Sequence, residues 1–417
     1  MELLRVATAG SVDDGKSTLI GRLLYDSKQV FEDHYEAIER ASLQRGDDQV
    51  DLSLLTDGLR AEREQGITID VAYRYFSTPK RKFVIADTPG HFQHTRNTVT
   101  GCSTADLVVI LVDARNGITE QTCRHASIAS LLGIAHLVIC VNKMDLVDYD
   151  QRRFEEICAE FSKFASGLDC ADVTFIPLSA LQGDNVVERS VEMPWYEGTA
   201  LLHHLEHVQV GSSRDLVNVR FPVQYVVRPK DGDENASRGY AGTVAGGVLR
   251  TGDEVLVLPS RRRTRVSAIE TADGPVAAAL PPMSVVVRLA DQLDVARGDL
   301  ICTPNREPYS ADHVSATICW MADRPLRPGV RLELKHTTRW VQAVVSEIED
   351  RIDVRTVERD RSAEELELND LGRIEMRLSA PLYFDDYRRN RATGSFILVD
   401  PATAATVGAG MLTGPIV

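Results

Sequence analysis

The sequence predicts an α/β domain with a doubly wound, mostly parallel sheet, followed by two antiparallel β-barrel domains. Three observations support this prediction. Near-continuous apolar runs alternate with helical segments up to about residue 210, short alternating runs divided by Gly, Pro and Asp fill the rest, and a phosphate-loop spacing follows the first apolar run. Strands buried on both faces of a parallel sheet have continuous apolar runs, whereas strands of half-exposed antiparallel sheets alternate.

The first half of the chain supplies the parallel sheet. Between its apolar runs lie segments with helical character, at 120–132 and 151–165. This alternation of strand and helix is typical of a doubly wound sheet. The predicted strands are FVIAD (83–87), DLVVILVDA (106–114), HLVICVNKMD (136–145) and VTFIPLSA (173–180).

The second half predicts the barrels. From Val217 onward the chain has short alternating runs such as VRFPVQYVV, DEVLVLP, MSVVVRLA, SATICWM and GRIEMRLS. Such runs, separated by turn residues, are typical of antiparallel barrels. The stretch NREPYS (305–310) divides this half in two. We therefore predict domains at 1–212, 213–307 and 308–417.

Composition narrows the class of protein. The chain has 417 residues, of which 43% are hydrophobic and 26% charged, as in globular proteins of roughly two to four domains. It has no apolar run that could span a membrane and no leader sequence, so we expect a cytoplasmic protein. Its seven cysteines include no CxxC pair, which argues against a disulfide framework or a zinc site. A net charge of −14 disfavours non-specific nucleic-acid binding, and we expect no nucleic-acid partner.

The stretch GSVDDGKST (10–18) has the spacing of a phosphate-binding loop. Its backbone N–H groups can surround a β-phosphate, Lys16 can reach the β- and γ-phosphates, and the Ser17 hydroxyl can bind Mg²⁺. The alternative is a Gly-rich turn that caps a helix. The predicted nucleotide-binding residues here are Gly10, Asp13, Asp14, Gly15, Lys16, Ser17 and Thr18.

A second motif, DTPGH (87–91), follows the apolar run FVIA. An open parallel sheet binds its ligand at the carboxyl ends of its strands, where this motif is predicted to lie. Asp87 can hold Mg²⁺ through a water molecule, and the Gly90 N–H can sense a γ-phosphate. The alternative is an ordinary Asp-Pro-Gly turn, which is less attractive beside a phosphate loop.

A third motif, NKMD (142–145), indicates the base. The Asp145 carboxylate can accept hydrogen bonds from the ring N–H and exocyclic amine of guanine, a donor pair that adenine lacks. A polar site left unpaired by the wrong ligand can discriminate by about 10⁴, so GTP is favoured over ATP. Asn142 would support the loop, and Lys143 would pack its stem over the base. A backbone N–H from Ser179, Ala180 and Leu181 would complete the pocket.

The stretch EREQGITI (62–69) lies between the phosphate loop and DTPGH. Its Thr68 could bring a hydroxyl to Mg²⁺ only when the γ-phosphate is present, which is the ordering step of a GTPase switch. The alternative is the start of a strand after a glycine turn.

Together, GITI, DTPGH, NKMD and two following barrels resemble the translation-factor GTPases, including elongation factor Tu, over essentially the whole chain. The segment GYAGTVAGGVLRTGDEVLVLP (239–259) resembles their second domain. Those factors usually have His where this chain has Asp14. Three longer stretches instead resemble the GTPase subunits of heteromeric bacterial sulfate adenylyltransferases. They are GSVDDGKSTLIGRLLYDSK, LLTDGLRAEREQGITIDVAYRYFSTPKRKFVIADTPGH and TRNTVTGCSTADLVVILVDARNGITEQTCRHASIASLLGI.

The resemblance implies an elongation-factor-Tu-like architecture, GTP/GDP and Mg²⁺ as cofactors, and a separate catalytic subunit as partner. The implied task is to couple GTP hydrolysis to the synthesis of adenosine 5′-phosphosulfate from ATP and sulfate. In some members an adenylylsulfate kinase is fused or associated, and the sequence leaves open whether this chain is part of such a fusion.

The resemblance also implies roles in hydrolysis. His91 would position the attacking water, and Lys16, the backbone of 13–18 and Mg²⁺ bound by Ser17 and Thr68 would neutralise the developing charge. The Mg²⁺ ligands would be Ser17, Thr68 and Asp87. Two alternatives are a translation GTPase acting on the ribosome and a GTP-dependent scaffold without coupling. Asp14 and the stretch EREQGITIDVAYRYFST favour the sulfate enzyme over a translation factor, and His91 favours catalysis over a scaffold.

Overall fold

The computed structural model describes residues 3–27, 52, 70–91, 94–170, 172–210, 215–228, 238–354 and 356–416. The chain forms two compact units. The first contains residues 1–210 with 353–358, and the second contains 211–352 with 359–417. The domain boundaries at 212/213 and 307/308 remain predictions. Thr68 lies outside the described residues, as does most of EREQGITIDVAYRYFST before Asp70.

The first unit is an α/β domain, and its β4 is buried along its whole length. Two of its helices begin at polar side-chain caps: the Thr119 hydroxyl accepts from the Thr122 N–H, and the Asp150 carboxylate accepts from the Arg152 N–H. The strands are β1 (Leu3–Ala9), β2 (Ala72–Ser77), β3 (Lys82–Asp87), β4 (Leu107–Asp113), β5 (His136–Asn142) and β6 (Asp172–Pro177). The helices are α1 (Lys16–Asp26), α2 (Thr95–Ser103), α3 (Glu120–Leu131), α4 (Gln151–Ala165) and α5 (Leu201–His207).

The sheet of this unit places the predicted motifs at one edge. Its strand order is β2-β3-β1-β4-β5-β6, with only the β2–β3 pair antiparallel. Thr8 pairs with Asp87, and Asp113 pairs with Asn142, so neighbouring parallel strands end level with one another. The phosphate loop, DTPGH and NKMD all leave the sheet at these carboxyl ends, which is where open sheets bind ligands.

The predicted strands and the observed ones differ mainly at their ends. The run 136–145 gives a strand only as far as Asn142, because Lys143 has a left-handed φ of 63° and a 3₁₀ helix, Met144–Val147, follows. The predicted helix 151–165 is observed as Gln151–Ala165. No helix in the described ranges combines the length and apolar character that crossing a bilayer requires.

In the second unit, the first barrel is a closed antiparallel ring. Six strands run in the order β10-β15-β7-β8-β14-β11, and β11 pairs back with β10. Its interior is filled mainly by Val, Leu and Ile side chains. The elements are β7 (Arg220–Val227), β8 (Gly239–Thr243), β9 (Leu249–Arg250), β10 (Glu254–Leu258), β11 (Arg262–Thr271), β12 (Gly274–Pro275), β13 (Ala278–Ala279), β14 (Ser284–Leu289) and β15 (Leu300–Cys302).

The second barrel closes in the same way. Its strands run in the order β17-β21-β22-β16-β20-β18, and β18 pairs back with β17. Trp320 and Phe384 are fully buried in its core. The elements are β16 (Tyr309–Trp320), β17 (Arg331–His336), β18 (Arg339–Ile352), β19 (Arg359–Asp360), β20 (Leu371–Phe384), α6 (Arg391–Gly394), β21 (Ser395–Val399) and β22 (Thr406–Pro415).

A buried ion pair joins the two barrels within this unit. The Arg220 guanidinium donates from Nε and Nη2 to the two oxygens of Asp385, at 2.8 and 2.9 Å. The Thr393 hydroxyl also donates to Asp385, at 2.7 Å. Arg220 and Asp385 are 1% and 5% exposed, so neither charge can turn to water for a substitute partner.

Candidate functional site

The phosphate loop connects β1 to α1, and its turn requires glycine at two positions. Gly10 and Gly15 have φ values of 145° and 92°, which L side chains rarely adopt. A Cβ on Gly10 would lie 2.8 Å from the Leu111 carbonyl oxygen, and one on Gly15 would collide with the Asn142 amide. The sequence therefore has glycine where the backbone could accept nothing larger.

Lys16 lies buried under this loop. Its Nζ donates to the carbonyl oxygens of Gly10 and Ser11, at 3.1 and 2.7 Å. Burial lowers the pKa of this amine, although the nearby carboxylates of Asp87 and Asp14 oppose the effect. A Cβ on Gly90 would lie 2.5 Å from Nζ, so the DTPGH backbone passes directly beside the lysine. Lys16 and Gly90 thus meet at one point, as a shared γ-phosphate contact requires.

Asp14 braces the loop from within. Its carboxylate accepts the Ser11 N–H at 2.5 Å and is almost fully buried. Burial raises the pKa of Asp14, and the charge of Lys16 opposes that increase. This carboxylate supports the loop backbone at the position where translation factors usually have an imidazole.

Two of the predicted Mg²⁺ ligands, Ser17 and Asp87, lie next to each other where β3 ends. The Ser17 hydroxyl donates to Asp87 Oδ2, and the Thr8 hydroxyl donates to Asp87 Oδ1, both at 3.2 Å. Asp87 is 1% exposed. Hydroxyl and carboxylate oxygens are ligands that Mg²⁺ prefers, so this pair fits the ion. The third predicted ligand, Thr68, lies outside the described residues.

His91 follows Gly90 and is exposed. Its ring centroid lies 6.0 Å from that of His94. The structure therefore places an imidazole one residue beyond the point where DTPGH meets Lys16.

Asn142 links the phosphate loop to the predicted base loop. Its Nδ2 donates to the Asp14 carbonyl at 2.7 Å, and its Oδ1 accepts the Ala180 N–H at 2.9 Å. Ala180 is buried, whereas Leu181 is 43% exposed. Because the Ala180 N–H is directed to Asn142, a base contact from the backbone of Ser179, Ala180 and Leu181 stays a prediction.

Lys143 is held beside the same loops by Asp113. Its Nζ lies 3.0 Å from Asp113 Oδ2 and also donates to the Asp13 carbonyl. Burial alone would raise the pKa of Asp113, but hydrogen bonds from Arg115 and Lys143 lower it to about 2. The lysine is therefore held between Asp113 and the backbone of the phosphate loop.

Asp145 lies in the 3₁₀ helix that follows β5. Its Oδ1 is buried and has no hydrogen-bond partner among the residues that the structure describes. Leaving a buried carboxylate oxygen unpaired is costly, so such an oxygen indicates a ligand that donates to it. Guanine presents two suitable donors.

Comparison with known proteins agrees with this geometry. The profile described as "Elongation factor Tu GTP binding domain" matches residues 1–219. A second profile, described as "GTP-eEF1A C-terminal domain-like", matches residues 313–413. The predicted fold class is therefore confirmed, and the first unit is a guanine-nucleotide-binding domain.

The most similar proteins include sulfate adenylyltransferase subunit 1 of Bacteroides fragilis, which is 51% identical over 99% of this chain and 86% of its own length. This chain belongs to the sulfate adenylyltransferase subunit 1 family. The bifunctional enzyme CysN/CysC of Mycobacterium tuberculosis is 60% identical over 98% of this chain, and that of Rhodopirellula baltica is 52% identical over 99%. The chain spans 67% and 63% of those two bifunctional relatives.

Three residues that shape the site in this family member belong to none of the sequence motifs. Arg22 of α1 donates from Nε to the Ala180 carbonyl at 3.2 Å and from Nη2 to the Leu181 carbonyl. Asp113 orients Lys143, and His125 of α3 accepts the Gly10 N–H. Each contact joins segments far apart in sequence, so no local pattern could have indicated it.

Proposed function

We propose that this protein is the GTP-hydrolysing regulatory subunit of a sulfate adenylyltransferase. In this proposal it couples GTP hydrolysis to synthesis of adenosine 5′-phosphosulfate from ATP and sulfate by a separate catalytic subunit. The observation that carries it is 51% identity to a subunit 1 over 99% of the chain, together with a site that fits GTP. Because ATP and GTP are both cytoplasmic nucleotides, the proposal places the protein in the cytoplasm.

The phosphate end of the proposed site combines the buried lysine, the loop backbone and the predicted Mg²⁺ ligands. Lys16 and the N–H groups of 13–18 would bind the β- and γ-phosphates. Ser17 and Asp87 would hold Mg²⁺, together with Thr68. When bound, Mg²⁺ neutralises charge that develops on the phosphate oxygens. Burial keeps water from Lys16, which strengthens its attraction for the phosphates.

The base end is proposed to select guanine. The Asp145 carboxylate would accept from the ring N–H and the exocyclic amine, while Lys143 would cover one face of the base. Asn142 and Arg22 support this selectivity indirectly, because both hold the backbone of Ala180.

Hydrolysis is assigned to His91. Its exposed ring next to Gly90 would orient the attacking water toward the γ-phosphate, as a Gln does in other GTPases. The ring acts on water and not on the nucleotide, so its removal should affect hydrolysis more than binding.

Coupling to GTP hydrolysis would supply the free energy that sulfate activation requires. The mixed phosphosulfate anhydride is high in energy, so adenylation of sulfate lies far uphill. A second nucleotide hydrolysis can draw the reaction forward. Since the chemistry takes place on the partner, the GTPase need not contain a sulfate site. Similarity to relatives named bifunctional enzyme CysN/CysC supports an adenylylsulfate kinase, fused or associated, as a further partner.

The test is GTP hydrolysis by the purified chain, with and without the catalytic subunit, ATP and sulfate. We expect slow hydrolysis alone, stimulation by the complete mixture, and a higher phosphosulfate yield with GTP. His91→Ala should bind GTP normally but lose hydrolysis on the order of 10²-fold, and coupling should fall with it.

His94→Ala is the matched control, because it removes the neighbouring imidazole and keeps His91. If GTP leaves the phosphosulfate yield unchanged with a competent partner present, coupling is refuted. Stimulation by ribosomes in place of ATP and sulfate would indicate a translation GTPase.

A further inference from the structure

The first residue of the phosphate loop is held by a histidine that lies 115 positions further along the chain. The Gly10 N–H donates to Nδ1 of His125 at 3.0 Å. His125 lies on α3 and is 1% exposed. Because both groups are buried, water cannot replace this hydrogen bond if the ring is removed.

The contact defines the protonation of the ring. Nδ1 accepts, so the proton of the neutral imidazole is on Nε2. The Gln121 side-chain amide lies 2.9 Å from Nε2 and must present its oxygen there, since an amide nitrogen cannot accept. Burial lowers the pKa of His125 to about 3, with contributions from the positive charges of Lys16 and Arg124, so the ring is neutral at physiological pH.

Helix α3 makes a second contact with the loop, next to the first. The hydroxyls of Ser11 and Thr119 lie 2.9 Å apart, and Thr119 is the N-cap of this helix. The carbonyls of Gly10 and Ser11 are the same two that accept from Lys16 Nζ. The start of the loop is therefore held by α3 on one side and carries the lysine on the other.

We propose that His125 is a positioning residue of the nucleotide site, which fixes Gly10 so that the two carbonyls hold Lys16 in its phosphate-binding orientation. This inference rests on the proposed nucleotide site. Loss of the acceptor leaves the Gly10 N–H buried without a partner, and the peptide must rotate to find one. Rotation of this Ala9–Gly10 peptide changes the backbone angles at Gly10 and thereby shifts the following Gly10 and Ser11 carbonyls, which orient Lys16. Phosphate affinity therefore falls although His125 touches no phosphate.

The experiment measures the dissociation rate of a fluorescent GDP from the full chain. His125→Leu should raise this rate about tenfold or more, as loss of a buried hydrogen bond predicts. His125→Asn should stay within about threefold of wild type, because its Oδ1 takes the place of the Nδ1 acceptor. His125→Gln, whose oxygen extends toward the Nε2 position, should not rescue. Glu120→Gln, on the exposed face of α3, is the matched control and should release GDP at the wild-type rate.

Two further measurements separate positioning from general destabilisation. The rates are repeated in EDTA, where the tenfold difference should persist because it acts through the phosphate loop and not through the metal. The GDP-induced rise in melting temperature, measured against each variant's own nucleotide-free melting temperature, should be smaller for Leu and Gln than for Asn.

The possible results separate failure of this inference from failure of the proposed function. A folded Leu variant that releases GDP at the wild-type rate refutes the inference, as does equal behaviour of Asn and Gln or disappearance of the effect in EDTA. If the Leu variant does not fold, the comparison of Asn with Gln still decides. Failure of the wild-type chain itself to retain GDP would instead refute the proposed function.

Discussion

We expect Asp145→Asn to change the base preference of the nucleotide site from guanine to xanthine. One oxygen of this carboxylate is buried without a partner in the described part of the chain, so the proposed ligand would donate to it. The amide of Asn keeps one acceptor and replaces the other by a donor. That donor faces the exocyclic amine of guanine unfavourably, but it matches the carbonyl that xanthine has at the same position.

The expected loss of GDP affinity follows from the number of hydrogen bonds that the substitution removes. A hydrogen bond to a charged group contributes about 1.5–3 kcal/mol, and guanine would make two with Asp145. Retaining one neutral hydrogen bond recovers about 1 kcal/mol, so the variant should lose about 2–5 kcal/mol, or roughly 30- to 5,000-fold in GDP affinity. Xanthosine diphosphate should gain affinity for the variant, because both of its groups then have partners.

The assay is competition of unlabelled GDP and xanthosine diphosphate against a fluorescent nucleotide, for wild type and variant. Asp148→Asn is the matched control, since it makes the same substitution at an exposed position three residues away. Unchanged preference for guanine in Asp145→Asn would remove this residue from the base pocket and refute the reasoning.

Two further predictions concern stability. Asp113→Asn should lower the free energy of unfolding by about 2 kcal/mol at pH 7, because the folded-state pKa of about 2 lies below the unfolded value near 3.8. This contribution is present above about pH 4 and is lost as the pH falls through about 2, so urea unfolding at pH 7 and pH 3 should show the difference shrinking; a constant difference would contradict it. Asp385→Ala should cost about 3–5 kcal/mol in urea unfolding, because it leaves Arg220 buried and unpaired. Glu365→Ala, which breaks an exposed pair, should cost less than about 1 kcal/mol, and equal losses would contradict the role of burial.

The parts of the structure that the sequence predicted are those encoded locally. Strands such as β4 are continuous apolar runs, and α4 has a capping Asp150 followed by an amphipathic segment, so each could be read from neighbouring residues. In the three nucleotide-binding motifs, the spacing between residues is set by the chemistry of phosphate and base recognition. Their positions at strand ends then brought them to one edge of the sheet.

The parts that could not be predicted depend on contacts between distant segments. Gly10 and His125 are 115 residues apart, and Arg220 and Asp385 are 165 apart. A buried His on an apolar helix face is usually a core residue, so the sequence offered no reason to single out His125. The antiparallel strand β2 begins at Ala72, directly beyond a stretch interpreted as a switch, and its alternating exposure is too short a signal to define a strand.

The Asn142 side chain has a consequence for combinatorial mutagenesis. Its amide fills the space beside Gly15 and contacts the backbones of Asp14 and Ala180 at once. A library that randomised Gly15 and Asn142 separately would score each as intolerant, because a Cβ at position 15 collides with the amide and a change at position 142 removes both hydrogen bonds. Side-chain changes at Asp14 and Ala180 leave these two hydrogen bonds in place, since both partners are backbone atoms. Alternative residue pairs at positions 15 and 142 can therefore be found only when these two positions are randomised together.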